Sequence, residues 1–98
     1  MGLRIRFAPR ALSDLSEIRT YLIPHNPIGA ERVRLHIAET IDRLSDFPRL
    51  GRGTDEPDVR VLPLTRYPYV IFYSVVSSEV VFLHIRHGAR EPIDPSSL

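Results

Sequence analysis

Two apolar runs, Tyr69–Val76 and Val80–Ile85, stand on either side of a short polar turn at Ser77-Ser78. Val, Ile, Phe and Tyr dominate both, and these residues fit a pleated, half-buried surface. A turn this short makes the runs an antiparallel hairpin. A hairpin this apolar is not stable alone and must lie within a sheet whose face is covered. Arginines flank it, with Arg60 and Arg66 before and Arg86 and Arg90 after.

The rest of the chain supplies the cover. Leu3, Ile5 and Phe7 alternate with Arg4 and Arg6, a period of two that reads as a strand with an apolar inner face. Ala8-Pro9 ends it. From Arg10 the period lengthens. Leu12, Leu15, Ile18 and Leu22 form the stripe of an amphipathic helix, with Arg10 and Asp14 as an i,i+4 pair. Pro24 is expected to stop this helix near Ile23. Asn26-Pro27 then opens a second helix as N-cap and first helical residue. Its stripe is Ala30, Val33, Ile37, Ile41 and Leu44, with Glu39 and Arg43 paired on its surface. The short connection makes an antiparallel helical hairpin. A loop follows from Asp46 to Pro57, and Phe47 and Leu50 are expected to pin it to the core. A strand from about Val59 to Leu62 precedes the opening hairpin. Pro63 argues for an edge position or an early end. The tail, residues 89–98, is read as irregular.

The order β-α-α-β-β-β predicts a single α+β domain, a two-layer sandwich with a helical hairpin on one face of a mainly antiparallel sheet. Ninety-eight residues allow one modest core. In the last strand, Val81, Leu83 and Ile85 are expected on one face and Val80, Phe82, His84 and Arg86 on the other. The uncovered face would then carry Arg4, Arg6, His84 and Arg86, with Arg60 nearby. Leu62 shares the side of Arg60 by alternation, which leaves that strand's inward face open.

Composition narrows the chemistry. All 13 basic residues are arginine, so lysine chemistry is excluded. Arginine clamps phosphates and carboxylates but is a poor proton shuttle at neutral pH. A net charge of +1 is not the field of a general nucleic-acid binder, although it allows a local basic face. There is no cysteine, so disulfides and thiolate metal sites are excluded, and a reducing cytoplasm suits the chain. No run approaches the length of a membrane span. Neither a metal nor a cofactor is expected. His84 and His87 are the natural acid–base candidates, although on a regular strand they point to opposite faces. A buried histidine bonded to the backbone is the competing reading. Arg60, Arg66, Arg86 and Arg90 would form an anion clamp if they converge, or else a set of solvated charges. Tyr67, Tyr69 and Tyr73 could stack on bases or pack in the core.

Taken together, these motifs resemble the ParE branch of the RelE/ParE toxin superfamily, the toxins of bacterial type II toxin–antitoxin modules. The residues that carry the resemblance are Ala11 with Asp14-Leu15, Ile18 to Tyr21, Asn26-Pro27 with Ala30, and Ile41 with Leu44. They continue through Pro48-x-x-Gly51-Arg52, Arg60-x-Leu62, Tyr69-x-Ile71-x-Tyr73 and Ile85-x-His87-Gly88-x-Arg90. The resemblance implies a cognate antitoxin, ParD-like, whose N-terminal half dimerises and binds DNA and whose C-terminal segment wraps the toxin. Leu35 and Ala38, off the main helical stripe, are the candidate antitoxin contacts. Tyr69-x-Ile71-x-Tyr73 and His87-Gly88-x-Arg90 favour the branch that inhibits DNA gyrase without catalysis, with Arg60, Arg66, Arg86 and Arg90 meeting the target. The alternative is a RelE-like endonuclease that cuts mRNA on the ribosome, using Arg60, Arg86, His84 and His87, with Glu56 as a possible carboxylate. Direct contact with nucleic acid is left open by this choice. A third reading is a pure interaction module that only binds its antitoxin.

Overall fold

A computed structural model describes residues 2–88. The expected tail and Arg90 lie outside the described residues. The elements are β1 (Arg4–Phe7), α1 (Pro9–His25), α2 (Pro27–Asp46), β2 (Arg52–Gly53), β3 (Val59–Pro63), β4 (Tyr69–Val76) and β5 (Glu79–His87). The sheet runs β1-β5-β4-β3-β2, with β1 parallel to β5 and the other pairs antiparallel. Two helices pack on it, so the expected two-layer α+β architecture is present. The two-residue strand β2 is new. It forms inside the long loop because Arg52 and Gly53 find Val61 and Arg60 as ladder partners.

The helical hairpin forms largely as the spacing predicts. Asn26 caps α2 by accepting the Gly29 N–H at 3.0 Å, and Pro27 follows it. Pro24, however, sits within the last turn of α1 instead of ending it. The helix survives because the Asn26 N–H closes onto Leu22 O at 2.8 Å just beyond it. Leu12 is more than half exposed, at 55%. The buried stripe is therefore Ala11, Leu15, Ile18 and Leu22, shifted by one residue at its start. The surface ion pair on α2 is Glu31–Arg34 at 2.6 Å, about two turns before the expected Glu39 and Arg43.

The main core joins Ala11, Val33, Ile37, Ile41 and Leu44 of the helices to Ile71, Tyr73, Val80, Phe82 and Ile85 of the hairpin. A second cluster, built from strands alone, holds Val59, Val61, Val70 and Phe72. Leu62 packs on the main core, so Val59 and Val61 face the helix-free side while Arg60 and Leu62 face the helices. Leu3 and Phe7 also pack on the main core, whereas Ile5 is 38% exposed.

One irregularity reorders the last strand. Tyr73 pairs with Phe82 and Phe72 with His84, which leaves Leu83 as an extra residue in β5. Such a bulge shifts the alternation by one. Val80 and Phe82 enter the main core before it, Ile85 enters after it, and Leu83 packs against the strand-only cluster. The expected division of this strand into two regular faces is thus corrected.

The long loop is held differently from expectation. Phe47 is 65% exposed and Leu50 is 44% exposed, so neither pins it. The anchor is Tyr73, whose buried hydroxyl donates to Pro48 O at 2.8 Å and accepts from the Gly51 N–H at 2.9 Å. Arg60 donates from Nη1 to Gly51 O at 2.7 Å. Gly51 is required for this approach, since a Cβ there would lie 2.7 Å from the Tyr73 hydroxyl and 2.9 Å from Val61 O. Burial pushes the Tyr73 phenol above its ordinary range, against smaller opposing effects of the Gly51 bond and the Arg60 charge.

Tyr73→Phe leaves the Gly51 N–H and Pro48 O without this partner and is expected to cost about 1–3 kcal/mol in urea unfolding. The phenol's raised folded value also sets a sign. Stability is complete below the ordinary tyrosine range and is lost as pH rises through the folded value. Tyr73→Phe should remove that alkaline loss.

Candidate functional site

The site lies where β1 gives way to α1. β1 pairs with β5 from Arg4–Glu79 to Phe7–Phe82, and the Ala8 N–H makes a last bond to Phe82 O at 2.8 Å. Pro9 then starts α1, and beyond Phe82 this edge of β5 faces the helix. An edge N–H away from water needs an acceptor. Asp14 provides it: its Oδ2 accepts the Ile85 N–H at 2.9 Å and lies 2.6 Å from His84 Nδ1. The side chains of both residues are largely shielded from water.

Arg10, Asp14, Glu17 and Tyr21 follow one another at spacings of 4, 3 and 4, so they line one side of α1. That side faces His84, Ile85, Arg86 and His87 of β5 and Tyr69 of β4 across a pocket of about 230 Å³. Arg10 Nη2 lies 3.4 Å from His84 Nε2. His84 stacks on Phe72 with ring centroids 6.0 Å apart, and the His87 ring meets Tyr69 edge-on at 5.4 Å. The pocket thus gathers two imidazoles, two guanidiniums and two carboxylates, Asp14 and Glu17, and so holds groups that can move a proton beside a bound anion.

The structure brings together three of the expected site residues, Arg86, His84 and His87. Their spacing on a regular strand argued against convergence. They still point to opposite sides, His84 toward Phe72 and His87 toward Tyr69, but both lie on the stretch of β5 beyond β1 and line one pocket with α1 at that edge. His84 was expected on an open face but is only 5% exposed, covered by α1 and Phe72. Arg60 does not join them. Its guanidinium is committed to Gly51 O on the helix side of the sheet, so its role is to hold the loop. Arg66 is exposed in the turn between β3 and β4, outside the pocket. Glu56 lies in the loop beside Arg60 and Asp58, also away from the histidines. Tyr69 and Tyr73 pack in the main core and Tyr67 packs against it, which makes packing their main role.

Sequence reasoning missed Asp14 and Arg10 as site residues, because their i,i+4 spacing read as a helix-surface pair. Asp14 instead turns toward the sheet, and Arg10 reaches the same histidine. The signal available in the chain was an acidic residue directly before Leu15 of the buried stripe, too close to the core for a solvated surface pair.

A second concavity runs between the two helices. Leu15, Ile18, Leu22 and Ile23 of α1 line it with Ala30, Val33 and Ile37 of α2. Leu35 and Ala38 are exposed, as expected, but lie outside this groove.

The amide of Ile85 should report the Asp14 contact. Asp14→Ala is expected to speed its hydrogen exchange at least tenfold, with a smaller change at Val80 within the β1 ladder. Equal protection at Ile85 in both proteins would remove Asp14 from the strand edge.

Known proteins share this frame. The family model described as the ParE toxin of the type II toxin–antitoxin system parDE matches residues 5–92. Toxin RelE2 of Caulobacter vibrioides is 37% identical over 83% of this chain and 90% of its own length. Toxin RelE3 of the same organism is 30% identical over 86% of this chain and 92% of its own. A chain of the chromosomal ParDE toxin–antitoxin system from P. aeruginosa superposes with a TM-score of 0.76 at 25% identity, covering 88% of this chain and 96% of that one. The chain belongs to the RelE/ParE superfamily and is the toxin component of a type II toxin–antitoxin module.

Proposed function

We propose that this toxin acts as a RelE-type endonuclease on ribosome-bound messenger RNA, with its chemistry in the Arg10–Asp14–His84–Arg86–His87 pocket. The observation that carries the reading is the convergence of His84, His87, Arg86 and Arg10 on one pocket. Metal-free RNA cleavage needs a base for the 2′-hydroxyl, an acid for the leaving oxygen and cations for the phosphate. His84 Nε2 takes the 2′-hydroxyl proton as the 2′-oxygen forms its bond to phosphorus. The bond from phosphorus to the 5′-oxygen breaks, and that oxygen takes a proton from His87 in its imidazolium form. Arg10 and Arg86 hold the non-bridging oxygens. The products are a 2′,3′-cyclic phosphate and a 5′-hydroxyl. The relatives named RelE2 and RelE3 support the same reading.

A second reading, poisoning of DNA gyrase, is favoured by the ParE description of the family model and by the overlay on the ParDE structure. Primer extension on translated message separates the two. The nuclease gives new, codon-phased 5′ ends that fall at least a hundredfold with His84→Gln. Intact message together with inhibited supercoiling by purified toxin would instead establish the gyrase reading.

The antitoxin's C-terminal segment would dock on the helical hairpin, with apolar residues in the groove between α1 and α2 and contact extending to Leu35 and Ala38. Ile23→Asp and Leu35→Asp alter exposed positions. Each is expected to weaken antitoxin binding at least tenfold in calorimetry while the melting temperature holds. Unchanged binding by both would move the antitoxin elsewhere.

A further inference from the structure

His84 lies between two groups of fixed and opposite hydrogen-bonding character. Asp14 Oδ2, 2.6 Å from Nδ1, belongs to a group that only accepts when ionised, and it already takes the Ile85 N–H. Arg10 Nη2, 3.4 Å from Nε2, belongs to a group that only donates. A neutral imidazole has one N–H and one lone pair. Both neighbours therefore select the same form, with the proton on Nδ1 and the lone pair on Nε2.

We infer that Asp14 is a positioning residue, which fixes His84 as the Nδ1–H tautomer and aims its Nε2 lone pair into the pocket beside Arg10. The inference rests on the nuclease reading for its consequence, that Nε2 is the atom accepting the 2′-hydroxyl proton. The fold reinforces the arrangement. Asp14 cannot rotate away without leaving the Ile85 N–H unsatisfied, and stacking on Phe72 fixes the ring plane. Arg10 is exposed on the first turn of α1, where a phosphate oxygen can compete for its guanidinium. Phosphate binding then draws Arg10 from Nε2 and frees the lone pair as the substrate arrives. Glu17 of α1 and Arg86 and His87 of β5 are the other charged or titratable groups around the ring, with Tyr69 of β4.

Nitrogen-15 NMR of the full chain, read on neutral imidazole, tests the assignment. Wild type should carry the His84 proton on Nδ1. Arg10→Ala should keep it there, and Asp14→Ala added to Arg10→Ala should move it to Nε2, the site preferred by an unpartnered histidine side chain. Asp14→Asn provides a variant that keeps the fold. Its amide oxygen can hold the Ile85 N–H in place and faces His84 from the same position, so Nδ1–H is retained. A neutral amide stabilises the developing imidazolium less than a carboxylate does. Cleavage by Asp14→Asn should therefore fall at least tenfold in kcat with KM unchanged. A wild-type proton on Nε2, or the same tautomer in Arg10→Ala with and without Asp14→Ala, overturns the assignment. Full cleavage by Asp14→Asn overturns the role of the carboxylate. Cleavage with the wrong tautomer defeats this inference and leaves the nuclease reading standing. No cleavage by wild type defeats the nuclease reading and the proton-accepting role together, while the spectrum still decides the tautomer.

Discussion

One oxygen atom, Oδ2 of Asp14, joins the helical layer to the sheet at the point where the sheet would otherwise be left with an open edge. β1 covers β5 only as far as Phe82, and α1 then departs from the edge. Without an acceptor there, the Ile85 N–H would be buried and unpaired, at a cost of about 1–3 kcal/mol. The carboxylate accepts it and holds the neighbouring imidazole as well. The groups that complete the fold's edge are therefore the groups that build the pocket. A toxin of this size has one modest core, and joining these tasks spares it a separate scaffold for the pocket.

A second set of bonds does structural work alone. Tyr73 reaches from the core to the Gly51 N–H and Pro48 O, and Arg60 takes Gly51 O. This explains why a loop with exposed Phe47 and Leu50 still has a fixed path, and why β2 can pair with β3. It also withdraws Arg60 from the candidate chemistry. In a chain without lysine, the cationic part of the site among the described residues then falls to Arg10 and Arg86. The Arg10 contact with His84 is long for a hydrogen bond, which under the proposed nuclease reading suits exchange of that partner for a phosphate.

The layers, the helical hairpin and the central strands were legible because their periods are clean. The run Tyr69–Val76 coincides with β4, and the Asn26-Pro27 signal marks the start of α2. What escaped depends on contacts between distant parts of the chain. The bulge at Leu83 has no local signature, yet it puts Val80, Phe82 and Ile85 on one face, while the edge left open beyond β1 lets His84 and His87 line one pocket. The pairing of Asp14 with Ile85 spans 71 residues, so no window of sequence contains it. Pro24 marks the end of α1 to within two residues of the expected Ile23, and the Asn26 N–H bond to Leu22 O carries the last turn through His25. The superfamily itself was legible from motifs spread along the chain. The target was less so, because the residues that favoured the gyrase branch include Tyr69 and Tyr73, which the fold uses for packing.

In the proposed nuclease the nucleophile is the 2′-hydroxyl of the substrate. This assignment is tested most directly by placing a single 2′-deoxynucleotide immediately 5′ of the cleaved bond in a ribosome-bound message. The pocket described here predicts that cleavage at that bond disappears while neighbouring all-ribose sites are still cut, leaving 2′,3′-cyclic phosphate ends. Cleavage at an unchanged rate at the deoxy position would rule out the 2′-hydroxyl as nucleophile.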